Sequence, residues 1–217
     1  MIRAIVFDFG KVVGFFDHRL VTERLIQHGQ CHAEELHSFL FGGELEDTYE
    51  SGRISSAEFI RRVREKGNLR CPDEVIISSY ADIFWPNPEV ADLLPRLKSR
   101  YQLLLASNTS ELHSQQFRVQ FADTLRHFHA LVLSHEVGAR KPNAAFYEHC
   151  RQQAGVNASE CVFIDDLPAN VEGARQCGWH GIVYTGIVDL TQRLAELGVE
   201  TAIHKESQSR PNAAQAS

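Results

Sequence analysis

Ile5-Val6-Phe7-Asp8 is an unbroken apolar run that ends on a single carboxylate. A run without polar alternation is what a strand covered on both faces of a parallel sheet requires. A charge at the end of such a strand is costly unless it is paired or does chemistry. Taken alone, the pattern also fits an Asp that caps a helix or opens a turn. Three later stretches of the chain bear on that choice.

The chain around this strand has the composition of a globular protein. Its 217 residues, 43% of them hydrophobic, can bury a core of one domain, or of one domain with an insertion. The 22 basic residues against 28 acidic ones, with no basic run, exclude the electrostatic footprint of a nucleic-acid binder. Cys31, Cys71, Cys150, Cys161 and Cys177 are odd in number and widely spaced, which predicts reduced thiols in a cytoplasmic protein rather than disulfides or a zinc site. Asp8 interrupts the first apolar run before a signal peptide could form, and no segment is long enough to span a bilayer. His127 and His129 form the closest histidine pair, with no carboxylate or thiol at ligand spacing.

Residues 18–83 show helical periodicity and little strand character. Leu20, Val21, Leu25 and Ile26 fit one amphipathic helix, and Leu36, Phe39 and Leu40 a second. Ser55-Ser56-Ala57-Glu58 reads as a capping box before Phe59, Ile60 and Val63, and Pro72 opens a helix through Val75, Ile76 and Tyr80. From Pro88 the texture becomes alternating helix and strand. Strands are predicted at 3–8, 102–106, 130–133, 161–164 and 181–184, with helices between them. This alternation predicts an α/β fold, a doubly wound parallel sheet of order 3-2-1-4-5. The expected division is 1–15 and 86–203 as a Rossmann-like core, 16–85 as an inserted helical cap, and 204–217 as a disordered tail.

In a doubly wound sheet, ligands bind beyond the carboxyl ends of the strands. Asp8, Ser107-Asn108-Thr109 and Asp165-Asp166 all follow strands that this order makes neighbours. Ser107-Asn108-Thr109 could simply enter a helix that Ser110 and Thr109 cap, or could cradle an anion at the helix N-terminus. Lys141, in Arg140-Lys141-Pro142, puts a cation at the start of a helix, an unfavourable place unless a phosphate or carboxylate lies nearby. Two adjacent carboxylates after Val162-Phe163-Ile164 repel each other, and a hard divalent cation such as Mg2+ relieves that cost.

The stretches F-D-F-G, S-N-T, R-K-P and I-D-D-L-P-A-N, in this order and spacing, resemble the haloacid dehalogenase superfamily over nearly the whole chain. The stretch from Gly43-Glu44 to Ser55, with Glu58-Phe59, is similar to its bacterial branch of small sugar-phosphate phosphatases, which includes α-D-glucose-1-phosphate phosphatases. The resemblance implies a Mg2+-dependent phosphatase acting on a small phosphorylated metabolite, with a sugar 1-phosphate favoured, in a monomer or homodimer. It implies Asp8 as the nucleophile that forms an aspartyl-phosphate, and Ser107, Asn108 and Lys141 as phosphate contacts. The metal would be held by Asp8, the Gly10 carbonyl and Asp166, with Asp165 beside it and Asn170 orienting it.

One position departs from most phosphatases of this superfamily, which carry a second Asp two residues after the nucleophile as acid and base. Here that position is Gly10. Asp17 and His18 stand close enough in sequence to replace it. Phe16, Asp17, Glu44, Tyr49 and Trp85 are candidates by position for substrate selectivity. Two other readings remain open: a haloacid dehalogenase, which needs no metal, and a non-catalytic binding or regulatory module.

Overall fold

The computed structural model describes residues 1–201, so the expected tail at 204–217 lies outside the described residues. The described residues hold seven strands: β1 (Ala4–Phe7), β2 (Gly14–Phe16), β3 (Phe84–Pro86), β4 (Gln102–Ser107), β5 (Ala130–Leu133), β6 (Cys161–Asp165) and β7 (His180–Val183). Between β2 and β3 lie α1 (Arg19–Leu25), α2 (Ala33–Leu40), α3 (Glu44–Glu50), α4 (Ser56–Gly67) and α5 (Asp73–Ala81). After β3 come α6 (Pro88–Lys98), α7 (Glu111–Gln120), α8 (Ala122–Leu125), α9 (Ser134–Val137), α10 (Ala144–Ala154), α11 (Pro168–Gln176) and α12 (Ile187–Glu196).

Five strands form one parallel sheet in the order β5-β4-β1-β6-β7, which is the expected 3-2-1-4-5. Strand periodicity explains its two faces. Ile5 and Phe7 of β1 join Leu103, Leu105, Val162 and Ile164 in a core closed by residues of α6, α7 and α12. Ala4 and Val6 point the other way, with Leu104, Ala106 and Phe163, into a core closed by α10 and α11. All four residues of β1 are buried, as a central strand with helices on both faces demands. At the end of α11, Gly178 adopts φ +83, the left-handed conformation that a stop at this point needs.

Helices α1–α5 enclose a separate apolar cluster around Val21, Leu36, Phe59, Val63 and Ile76. The capping box expected at Ser55 forms only by half. Ser55 Oγ accepts from the Glu58 N–H, whereas the Glu58 carboxylate turns to Arg61 and Arg62. The sequence reading also missed β2 and β3, which pair antiparallel where the chain leaves and re-enters the sheet. At three residues each they are too short for a periodic signal. The expected boundaries at 15/16 and 85/86 both fall inside this ribbon. Asn87 fixes its return, donating to the Val12 carbonyl at 2.8 Å.

Candidate active site

The carboxyl ends of β1, β4 and β6 converge as their order in the sheet requires. Asp8 follows β1, and its Oδ1 accepts from Lys141 Nζ at 2.6 Å. The same ammonium donates to Asp165 Oδ2 at 2.8 Å and to the Ala106 carbonyl at 2.9 Å. A lysine has three donors, so all of them are engaged. Lys141 therefore offers an incoming anion its charge rather than a spare hydrogen. The carboxylate partner expected from its place at a helix start is Asp8 together with Asp165.

Asp165 is fully buried. Its oxygens also accept from the Leu167 N–H and from Asn170 Nδ2, which lies 3.0 Å from each of them. Asn170 thus orients Asp165, and through it Lys141, rather than Asp166. Asp166 is half-buried, with Lys11 Nζ 3.6 Å away. Asn108 likewise acts on Lys141: its Oδ1 accepts from the Lys141 N–H at 2.8 Å and its Nδ2 donates to the Lys141 carbonyl at 3.0 Å. That leaves one Asn108 amide hydrogen for a phosphate. Ser107 is buried at the end of β4, and Ser110, one of the two expected cap residues, caps α7.

The electrostatics are lopsided. Burial pushes the Asp8 carboxyl upward; Lys141 works against that, and Asp165 and Asp166 add to it. Asp166 is raised as well, by burial and by Asp165, with Lys11 opposing. For Lys141, burial disfavours the charge, but Asp8 and Asp165 outweigh it and hold the ammonium charged. The site therefore has more buried negative charge than its lysines neutralise.

A divalent cation fits that excess. Carboxylate oxygens of Asp8, Asp165 and Asp166 lie within 4.8 Å of one another. Both Asp165 oxygens already hold hydrogen bonds, whereas Asp8 is paired through Oδ1 alone. Among the described residues nothing donates to the Gly10 carbonyl. The oxygens left for a hard cation are thus those of Asp8, Asp166 and Gly10, the donor type that Mg2+ takes.

Above these groups is a cavity of about 250 Å3. Asp8, Gly10, Ser107, Asn108, Lys141, Asp166 and Asn170 all line it, with Asp165 buried beneath. Phe16 and His18 reach it, but Asp17, Glu44, Tyr49 and Trp85 do not. Asp17 is half-buried and bound to Arg19, which holds its carboxyl down at about 2. Tyr49 is buried, its hydroxyl bonded to Ser56 and to the Leu112 N–H. Burial takes His18 down to about 4, so it stands neutral beside the Phe16 and Phe41 rings.

The sequence reading missed Glu46, Glu50, Arg140 and His113, which form the upper wall of the cavity. Glu46 and Glu50 are four residues apart on α3, a spacing that puts them on one helix face. Arg140 Nη2 lies 2.7 Å from Glu50 Oε2, and its Nη1 donates to Asp47. Burial pushes the Glu50 carboxyl up to about 7, with Arg140 opposing and Glu46 adding.

The family model for a haloacid dehalogenase-like hydrolase matches residues 2–178. A D-ribitol-5-phosphate phosphatase of Bacteroides thetaiotaomicron is 24% identical over 186 residues, covering 82% of this chain and 90% of that protein. A flavin mononucleotide hydrolase of Arabidopsis thaliana is 35% identical, but over 68 residues, which is 31% of this chain and 28% of that protein. Among solved structures, a family enzyme of Bacteroides thetaiotaomicron in complex with magnesium and inorganic phosphate superposes with a TM-score of 0.74. It is 25% identical, over 84% of this chain and 93% of its own.

Proposed function

Because this chain belongs to the haloacid dehalogenase-like hydrolases, we propose that it is a Mg2+-dependent phosphatase of small phosphorylated metabolites, with sugar 1-phosphates favoured. The observation that carries this reading is Asp8: one oxygen is pinned by Lys141, and the carboxylate stands at the cavity floor beside Asp166. The phosphatase among the whole-length relatives and the phosphate-bound structural neighbour support it.

Asp8 attacks phosphorus in line, a bond forms from its oxygen, and the phosphorus–alkoxide bond breaks. Water then attacks the phosphorus of the aspartyl-phosphate, which frees inorganic phosphate and regenerates Asp8. Ser107 and the remaining Asn108 amide hydrogen hold the phosphoryl oxygens, and Lys141 supplies fixed positive charge. Mg2+, held by Asp8, Asp166 and the Gly10 carbonyl, would neutralise charge between the phosphate and the carboxylate. Asp165 and Asn170 keep Lys141 in place.

The leaving alcohol finds no acid at position 10. An alcohol of lower pKa then departs more readily, and an anomeric hydroxyl is more acidic than other sugar hydroxyls. This is the ground for preferring 1-phosphates. The test measures phosphate release from a panel of sugar phosphates with and without EDTA, alongside halide release from 2-chloropropionate. EDTA-sensitive phosphate release is expected. Halide release without phosphate release would establish a dehalogenase instead.

A further inference from the structure

His113 lies on α7, one turn beyond the cap residue Ser110, and lines the cavity while only 5% exposed. Its ring stacks on Tyr80, with centroids 4.1 Å apart, and meets Phe84 edge-on at 5.2 Å. Its Nε2 lies 3.0 Å from the Tyr80 carbonyl. A carbonyl only accepts, so Nε2 carries the hydrogen and Nδ1 presents a lone pair. Burial, with a smaller push from His18, takes the ring down to about 3, so the neutral form holds through the physiological range.

Among the described residues no hydrogen bond reaches Nδ1. Among the described residues, the sealed side-chain atoms without a partner are His37 Nδ1 and Arg140 Nε. His113 Nδ1 is not among these sealed atoms, and the residue lines the cavity. Besides Tyr80 and Phe84, the ring of His18 lies parallel to it with centroids 6.5 Å apart. A ligand that fills the cavity shuts this lone pair off from solvent. Unless the ligand brings its own donor, a buried acceptor is left unpaired.

We propose that His113 is a specificity-determining residue whose Nδ1 accepts a hydrogen bond from a hydroxyl of the leaving alcohol. The site then favours polyhydroxylated alcohols over bare alkyl or aryl ones. Glu50, on the α3 wall, offers a second acceptor to the same alcohol. This selectivity rests on the phosphatase reading, but binding tests it separately from turnover.

The substrates are glucose 1-phosphate and cyclohexyl phosphate, a hydroxylated and a bare ring, with p-nitrophenyl phosphate as a reference. His113→Phe keeps the stack on Tyr80 and removes the acceptor. It is expected to lower kcat/KM for glucose 1-phosphate about tenfold and to leave the other two esters within about twofold. His113→Asn, which keeps an oxygen acceptor near the Nδ1 position, should recover most of the loss. An equal fall on all three esters would mark His113 as merely structural, and no fall on any would remove it from recognition; either result overturns the proposal. Calorimetric titration of the wild-type protein with glucose 1-phosphate and cyclohexyl phosphate provides the separate measurement. Hydroxyl-dependent binding that His113→Phe abolishes, without hydrolysis of any ester, would keep this inference and discard the phosphatase. Equal affinity for the two rings overturns the inference whatever the turnover.

Discussion

The Phe16 ring occupies the space that a side chain at Gly10 would need: a Cβ built on Gly10 lies 2.8 Å from Phe16 Cε1. Phe16 is held there by His18 and Phe84, with ring centroids at 4.7 and 6.2 Å. The absent carboxylate is thus replaced by an aromatic wall, and restoring it needs two changes. Gly10→Asp alone should lower stability by about 1–3 kcal/mol through overpacking and leave the rate as dependent on leaving-group pKa as before. Gly10→Asp with Phe16→Ala should make that dependence shallower. Thermal melts and kcat/KM across a phosphate-ester series check both. A flat series in the wild type would mean that another group already delivers the proton, with Glu50, which lines the cavity and is raised to about 7, the first to examine.

The same absence sets an order among substrates. Sugar 1-phosphates should exceed the matching 6-phosphates in kcat/KM, because no acid protonates the departing oxygen. Equal values for the pair, or a preference for the 6-phosphate, would count against an uncatalysed leaving group.

Asp8→Asn should abolish turnover while the protein stays folded. The amide keeps the shape of the carboxylate and loses its nucleophilicity. Residual activity above a few per cent, with deamidation excluded by mass spectrometry, would rule out the covalent route.

Asp165 and Asp166 should fail in different ways. Asp165→Ala removes a buried partner of Lys141 and of Asn170. It should cost about 3–5 kcal/mol of stability, the usual result of leaving a buried charge half-paired. Asp166→Ala should change the melting temperature little and weaken Mg2+ binding in calorimetry. The opposite assignment would follow if Asp165→Ala folded normally and lost the metal.

Glu50 makes stability depend on pH. Burial raises its folded pKa to about 7, above the ordinary value of 4.5. Between these values the folded state holds a proton that the unfolded chain has released. Stability is therefore greatest at the acid side of the window and falls as pH rises through 7. At about 1.4 kcal/mol per pH step, the loss amounts to roughly 3 kcal/mol. Burial also holds His18 and His113 neutral, which opposes this loss below about pH 6.5, so the check is a difference: from pH 5 to 7 the melting temperature of the wild type should lose ground to that of Glu50→Gln. A residual slope is expected from Asp8, which burial shifts in the same direction. An unchanged slope in Glu50→Gln would show that its carboxylate is charged at no cost.

Local chemistry determined much of this protein. The run into Asp8, the alternation after Pro88 and the apolar period of α1–α5 are properties of neighbouring residues. They were sufficient for a parallel sheet, and with the order 3-2-1-4-5 the floor of the site follows, because such a sheet brings the ends of adjacent strands together whatever their distance in sequence. The upper wall was decided elsewhere. Lys141 meets Asp8 across 133 residues, and Asn108 grips the Lys141 backbone instead of pointing both amide groups at a ligand. Tyr49, one residue from Glu50, turns into the helical cluster, whereas Glu50 faces the cavity. Neighbours on a helix point about 100° apart, and only the packing of α3 against the rest decides which of them meets the site. The same holds for Phe16 over Gly10. No spacing in the sequence shows that a ring fills the place of the missing acid, because that contact exists only once β2 has paired with β3.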